Sequence, residues 1–245
     1  METPTDERQT TRKVFDTELQ TVGLRELRQV GSRREEPNPK PGSDWQKEFW
    51  EAKRQSLVNR IPKRFRGGLG SLRASVPNLA QFTESARLWC EKFTAKTERG
   101  LYFYGGIGSG KSALAYAIAV DLLDRGWNVL TWYAPDLYAA IKASYDNHDA
   151  QDEMAIVEEC DGADLLVLDD VGAEKGSDWT AEVLLRIVDH RYRDCRPLIV
   201  TSNVSAAEAC RSAGLTSRRI ASRLCEMTDS VCCLAADQRI TERRS

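Results

Sequence analysis

The spacing of apolar positions changes near residue 61. Ahead of it they are sparse. Phe15, Leu19 and Val22 keep the i, i+4, i+7 rhythm of a short amphipathic helix, which Gly23 interrupts. Residues 31–43 carry three prolines and two glycines, which is the composition of a flexible linker. A helix is expected to start near Ser43 or Asp44, with Ser43 and Gln46 as a capping box. It sets Trp45, Phe49, Trp50 and Leu57 beside Lys47, Lys53 and Arg54, and Pro62 stops it. These pieces bury little area alone, so they must dock on the body or on a partner.

Beyond residue 61 the pattern becomes regular. Leu79, Phe82, Ala86, Trp89 and Phe93 recur at helical spacing and predict a helix over 78–96. Short strand-like runs follow at Leu101–Tyr104, Asn128–Tyr133, Leu165–Asp169, Leu198–Thr201 and Ser230–Leu234. Helical patterns over 111–125, 136–145, 153–160, 178–192 and 216–226 separate them or flank the last. This alternation predicts a parallel sheet covered on both faces. The runs LLVL and LIV are apolar throughout, as central parallel strands are.

Composition narrows the class. In 245 residues, 41% hydrophobic and 29% charged content is that of a globular protein, not of a disordered chain. No run approaches the ~18 apolar residues of a membrane span, and no apolar stretch near the start resembles a secretory signal. Seven cysteines, with no CxxC pair, predict reduced thiols and a cytoplasmic protein without a zinc site. The formal charge of −2 hides an asymmetry. Residues 1–66 hold 15 basic and 11 acidic side chains, a net of +4, and the remainder holds 20 and 26, a net of −6. A basic end on an acidic body fits either a partner-binding segment or a merely solvated tail.

The chemistry sits at the strand ends. Gly105, Gly106, Ile107, Gly108, Ser109, Gly110, Lys111 and Ser112 match G-x-x-x-x-G-K-[ST] in full, between a predicted strand and a predicted helix. Glycines let backbone N–H groups crowd around phosphate oxygens, and the helix N-terminus through Ala113 adds its positive end. Lys111 is placed to reach the β- and γ-phosphates of ATP, and Ser112 to hold Mg²⁺. The apolar strand Leu165–Leu168 ends 57 residues after Ser112 in Asp169 and Asp170. Asp169 is placed for the Mg²⁺ shell. Asp170 stands where related ATPases usually carry a Glu that polarises the attacking water, and it is one methylene shorter. Asn203, after Thr201 and Ser202, gives the next strand a polar tip. Arg219 and Arg223 are i, i+4 on one helix, and either form a solvated face or reach a neighbour's nucleotide.

In this order the motifs resemble the AAA+ ATPases of the bacterial replicative helicase loader group, of DnaC and DnaI type, and the IstB transposition helpers close to them. The stretches that carry the resemblance are Ile61–Phe65, GGIGSGKS, Pro135–Tyr138, LLVLDDVGAEKGSDW, LIVTSN and SRRIASRLCEM. It implies an AAA+ P-loop NTPase, a parallel five-stranded α/β sheet with helices on both faces. The C-terminal lid would be reduced or absent. The resemblance covers roughly residues 61–240, within an expected 61–245 ATP-binding domain; residues 1–60 lie outside it and are read from their own composition as a partner-binding extension with a linker. The resemblance makes Asp169 the Mg²⁺ residue, Asp170 the water-orienting carboxylate and Asn203 the sensor. Arg223 becomes the first choice for an arginine finger between self-associating subunits, and Arg219 the second. Phe65 would lie near the adenine. The loop of Lys175, Ser177 and Trp179 would contact single-stranded DNA, although Trp179 could equally pack in the first turn of its helix.

The implied function is an ATPase that loads a replicative helicase onto single-stranded DNA, with slow hydrolysis as the release step. The rival reading is a helper that binds DNA and directs a transposase.

Overall fold

A computed structural model describes residues 44–72, 77–146, 150–172, 178–212 and 215–233. The segment of Phe15 and Leu19, the linker 31–43 and the side chain of Trp45 lie outside the described residues.

Five strands form one parallel sheet: β1 (Gly100–Tyr104), β2 (Val129–Tyr133), β3 (Leu165–Asp169), β4 (Leu198–Ser202) and β5 (Thr228–Cys232). Their order is β2-β3-β4-β1-β5. β3 and β4 are buried at every position, as their apolar runs require. The described helices are α1 (Asp44–Arg60), α2 (Pro77–Lys92), α3 (Lys111–Asp124), α4 (Ala134–Asp146), α5 (Ala150–Gly162), α6 (Asp178–Arg193), α7 (Ala206–Ser212) and α8 (Leu215–Met227). α3 is apolar around most of its circumference, so it is buried from Leu114 to Val120.

A five-stranded parallel sheet is thus what the alternation predicts, and the differences have local causes. α2 ends at Lys92 rather than 96. The Thr94 hydroxyl accepts from Lys96 N–H, and Thr94 N–H donates to Thr97 Oγ1 at 2.9 Å, a side-chain turn that competes with the helix. β5 lies two residues earlier than its apolar run. It pairs Gly100 with Thr228 and Tyr104 with Cys232, and as an edge strand it exposes Asp229 and Ser230. α7 has no apolar period. Its signal is a capping box, in which Glu208 N–H donates to Ser205 Oγ and Ser205 N–H to Glu208 Oε2.

α1, which the sequence reading counts with the N-terminal pieces that must dock on the body or on a partner, packs on β2 and α3. Leu57, Val58 and Ile61 are buried in the main core. Arg54 Nε donates to Asp124 Oδ1 at 2.9 Å, and Arg60 pairs with Glu159 at 2.9 Å while lying over the Trp132 ring. Beyond the helix, Leu69 N–H donates to Asp121 Oδ1 at 3.1 Å. The turns at Lys63–Phe65 and Leu69–Ser71 thereby follow α3, the helix that begins at Lys111. Among the described residues, the apolar last turn of α1 is thus covered by the core of the sheet and α3.

Arg191 holds the opposite end of the sheet. It is fully buried in α6. Its guanidinium donates to the carbonyls of Cys160 at 2.7 Å, Ala163 at 3.1 Å and Pro197 at 2.6 Å. One cation thus satisfies the C-terminal end of α5 and the residues that lead into β3 and β4. Burial lowers Arg191 to about 10, so it remains charged at neutral pH.

Candidate nucleotide site

The Gly-rich loop joins β1 to α3 at the C-terminal edge of the sheet. Gly105, Gly108 and Gly110 have φ of 143°, 75° and 91°, values that side chains with a Cβ rarely adopt. A Cβ on Gly105 would also collide with the Cys233 carbonyl. Cys233 N–H donates to Tyr104 O at 2.7 Å, so the end of β5 pins the start of the loop. Burial pushes the Cys233 thiol up to about 11, with Lys111 pulling the other way.

α3 starts with no side-chain cap, and Leu114 N–H makes its first bond back to Gly110 O at 2.9 Å. The first N–H groups of an α-helix have no acceptor within the helix itself, and in α3 they lie at the end of the Gly-rich loop. Lys111 is buried and donates to the carbonyls of Gly105 at 2.9 Å and Gly106 at 2.7 Å. Its ammonium is thereby held over the loop. Ser109 is buried, Ser112 and Ala113 are half-buried, and Ile107 is exposed at the loop tip. Left-handed glycines, an uncapped helix start and a lysine folded over them fit a polyphosphate chain.

Asp169 ends β3 and Asp170 follows it, two places across the sheet from β1. Asp169 is buried and accepts from the Thr201 hydroxyl at 2.6 Å. A buried carboxylate at the same C-terminal edge of the sheet as the loop is a donor of the kind a divalent cation takes. Tyr116, on α3, faces the same carboxylate. Burial, and then Asp169, hold its phenol well above the usual range. Asp170 is half-buried and has φ of 61°.

Asn203 is exposed just beyond β4. Tyr102 Oη donates to the Val204 carbonyl at 3.1 Å, which ties this tip to β1. The P-loop, the acidic turn and Asn203 thus share one edge of the sheet.

The remaining expected residues divide. Phe65 is half-buried, stacks on Tyr116 with ring centroids 5.5 Å apart and carries the Arg64 guanidinium over its ring. Arg219 is exposed. Arg223, one turn on, lies with Nε 2.6 Å from Asp189 Oδ1 of α6 and its guanidinium over Tyr192. The resemblance ranks Arg223 ahead of Arg219. The geometry instead engages Arg223 inside its own chain and turns Arg219 to the surface. Lys175 and Ser177 lie outside the described residues, whereas Trp179 is half-buried against the core. Sequence reasoning overlooks Tyr116, Thr201 as a ligand of the acidic turn, and Arg191. A tyrosine in the alanine-rich start of α3 is the one visible oddity among them.

The family model of IstB-like ATP-binding proteins matches residues 85–222. The chain is 31% identical over 129 residues to the replicative helicase loader DnaC of Escherichia coli K12, which is 53% of this chain and 52% of that protein. It is 31% identical over 111 residues to the replicative helicase loader DnaI of Bacillus subtilis, which is 45% of this chain and 35% of that protein. The chain thus spans about half or less of the curated relatives it matches. A crystal structure of DnaI superposes with a TM-score of 0.63 over 76% of this chain and 100% of that one, at 22% identity, a likeness of fold. No described helix is long and apolar enough to cross a membrane.

Proposed function

Because the chain belongs to the family of IstB-like ATP-binding proteins, we propose that it is an ATPase that loads a replicative helicase onto single-stranded DNA. What carries this reading is the convergence of Lys111, Asp169, Asp170 and Asn203 on one sheet edge, in a chain whose sequence relatives include two helicase loaders.

Mg²⁺–ATP, when bound, supplies the phosphoanhydride whose hydrolysis drives the switch. The loop N–H groups and Lys111 would hold the phosphates, and Ser112 and Asp169 would hold Mg²⁺. Asp170 orients the attacking water and accepts its proton. Asn203 lies at the tip of the next strand, where its amide steadies that water or the terminal phosphate. Phe65 lines the base end from its stack on Tyr116. Arg219 completes the site of an adjoining subunit. The loop of Lys175 and Ser177 meets single-stranded DNA, with Trp179 bracing it from the core side. The helicase-binding role expected of residues 1–60 we assign to the part ahead of α1.

A pull-down tests the assignment with the replicative helicase of the same genome. The full chain with ATP should retain the helicase, and a chain starting at residue 44 should bind ATP and lose the helicase. Asp170→Ala should keep ATP and the helicase but release the helicase at least about tenfold more slowly, since the water-orienting carboxylate is gone. Failure of the full chain to retain the helicase, with retention of a transposase instead, would turn the assignment to the transposition helpers.

The two arginines should separate in a second measurement. Arg219→Ala should bind ATP normally and lose turnover by about 10³-fold or more, the range of a missing finger. Arg223→Ala should instead lower the melting temperature, because Asp189 keeps its charge without its partner. Equal turnover of Arg219→Ala and the parent chain would remove the finger from that position.

A further inference from the structure

We propose that Thr201 is a positioning residue that sets both carboxylates of the acidic turn with a single hydroxyl, an inference that rests on the roles given above to Asp169 and Asp170. Thr201 is buried in β4 with 1% of its surface exposed. Its hydroxyl donates its one hydrogen to Asp169 Oδ1 at 2.6 Å and accepts from the Asp170 N–H at 2.8 Å. A hydroxyl has one donor and two lone pairs, so committing the donor to Asp169 also aims the lone pair that Asp170 uses.

The position of this bridge in the sheet gives it its effect. The register of β3 and β4 runs from Leu166↔Leu198 to Leu168↔Val200. Asp169 and Thr201 come next. There the side-chain hydroxyl does what ladder bonds do for the residues before them. Asp169 cannot rotate about its Cβ–Cγ bond without breaking a short bond to a charged acceptor, the stronger class of hydrogen bond. Asp170 sits in the left-handed region, which aspartate tolerates better than most residues with a side chain but which still calls for local bonds to hold one conformation. Three bonds from β4 do so. Beside the Asp170 N–H, Val171 N–H donates to Thr201 O at 2.8 Å, and Ser202 Oγ donates to Val171 O at 2.8 Å. The backbone angle of Asp170 sets the direction of its side chain. Thr201 therefore fixes the orientation of one carboxylate and the exit direction of the other. Because β4 runs on into Asn203, the acidic turn and the polar tip move as one piece.

Thr201→Val keeps the shape and removes the hydroxyl, and Thr201→Ser restores it. Both are made in the full chain. Without nucleotide, amide hydrogen exchange at Asp170 should quicken about tenfold in Thr201→Val, the equivalent of one ordinary hydrogen bond, and return near the parent rate in Thr201→Ser. The Mg²⁺ concentration that half-saturates ATP binding should rise about tenfold in Thr201→Val, since Asp169 must first be oriented. Its kcat should fall about 10- to 100-fold with the KM for ATP within about threefold, the pattern of a loss felt beyond ground-state binding. Serine should recover most of both.

Unchanged exchange in Thr201→Val overturns the proposal. So does faster exchange with unchanged Mg²⁺ dependence, which is a structural role only, or a serine variant as impaired as valine. If the parent chain binds no ATP or hydrolyses none, the ATPase reading fails on the parent itself, while Asp170 exchange still decides whether Thr201 holds the turn. Should Thr201→Val not fold, Thr201→Ala removes the hydroxyl with less bulk against Asp169 and gives the same comparison.

Discussion

Lys111→Ala is expected to abolish ATP binding while leaving the fold in place. The lysine ammonium lies over the loop on the carbonyls of Gly105 and Gly106, within reach of any phosphate held by the loop N–H groups. A buried ammonium on a triphosphate forms charge-assisted bonds, and loop N–H groups alone do not replace its charge. The loss should be at least about hundredfold in affinity, which is roughly 3 kcal/mol. Stability should hardly change, because Gly105 is half-buried and Gly106 exposed, so water can take over their carbonyls. Titration calorimetry beside a thermal melt checks both halves. Binding within about threefold of the parent chain would remove Lys111 from the phosphate site.

Arg191→Ala should have the largest effect on stability. The guanidinium is fully buried and serves the carbonyls of Cys160, Ala163 and Pro197. Truncation leaves a cavity and three carbonyls without their donor, each of which costs about 1–3 kcal/mol if water cannot enter. A net loss of about 3–5 kcal/mol is the expected size, which lowers the melting temperature by roughly 10 °C in a chain this long. Arg191→Lys should recover little, because one ammonium cannot span carbonyls that a planar fork reaches together. ATP affinity of the molecules that remain folded should stay near the parent value, since Arg191 serves the starts of β3 and β4 and the nucleotide residues lie past their ends. A melt shifted by less than about 3 °C would show that water or rearrangement replaces the guanidinium.

Much of the architecture was legible because it is written in local periodicity. β3 begins and ends where the run LLVLD does, and α6 lies within one residue of its expected span. Where periodicity is absent, sequence reading failed. The edge strand β5 carries Asp229 and Ser230 outward, so its apolar run marks only its second half. α7 is specified by the Ser205–Glu208 caps rather than by an apolar face. α2 stops where threonine side chains capture the backbone, a competition that counting apolar positions does not see.

The site divides along the same line. The P-loop is one contiguous stretch, and its geometry follows from the steric freedom of glycine, the start of a helix and one lysine, all within eight residues. Asp169, Asp170 and Asn203 could be singled out because each follows an apolar strand, and parallel strands present their C-terminal ends together. By itself, then, the sequence determined the P-loop, the strands that carry the acidic and polar tips, and the ATP-binding class they belong to. Tertiary structure alone decided the rest. It set α1 on the body, Arg191 beneath α5 and the sheet, Arg223 against Asp189 and Thr201 between two aspartates. Apart from Arg191 with Pro197, these contacts join residues about 30 or more positions apart, and no local spacing encodes which donor will meet which acceptor across such a gap. The choice falls to packing, because a buried arginine or hydroxyl must find partners wherever the folded chain brings them.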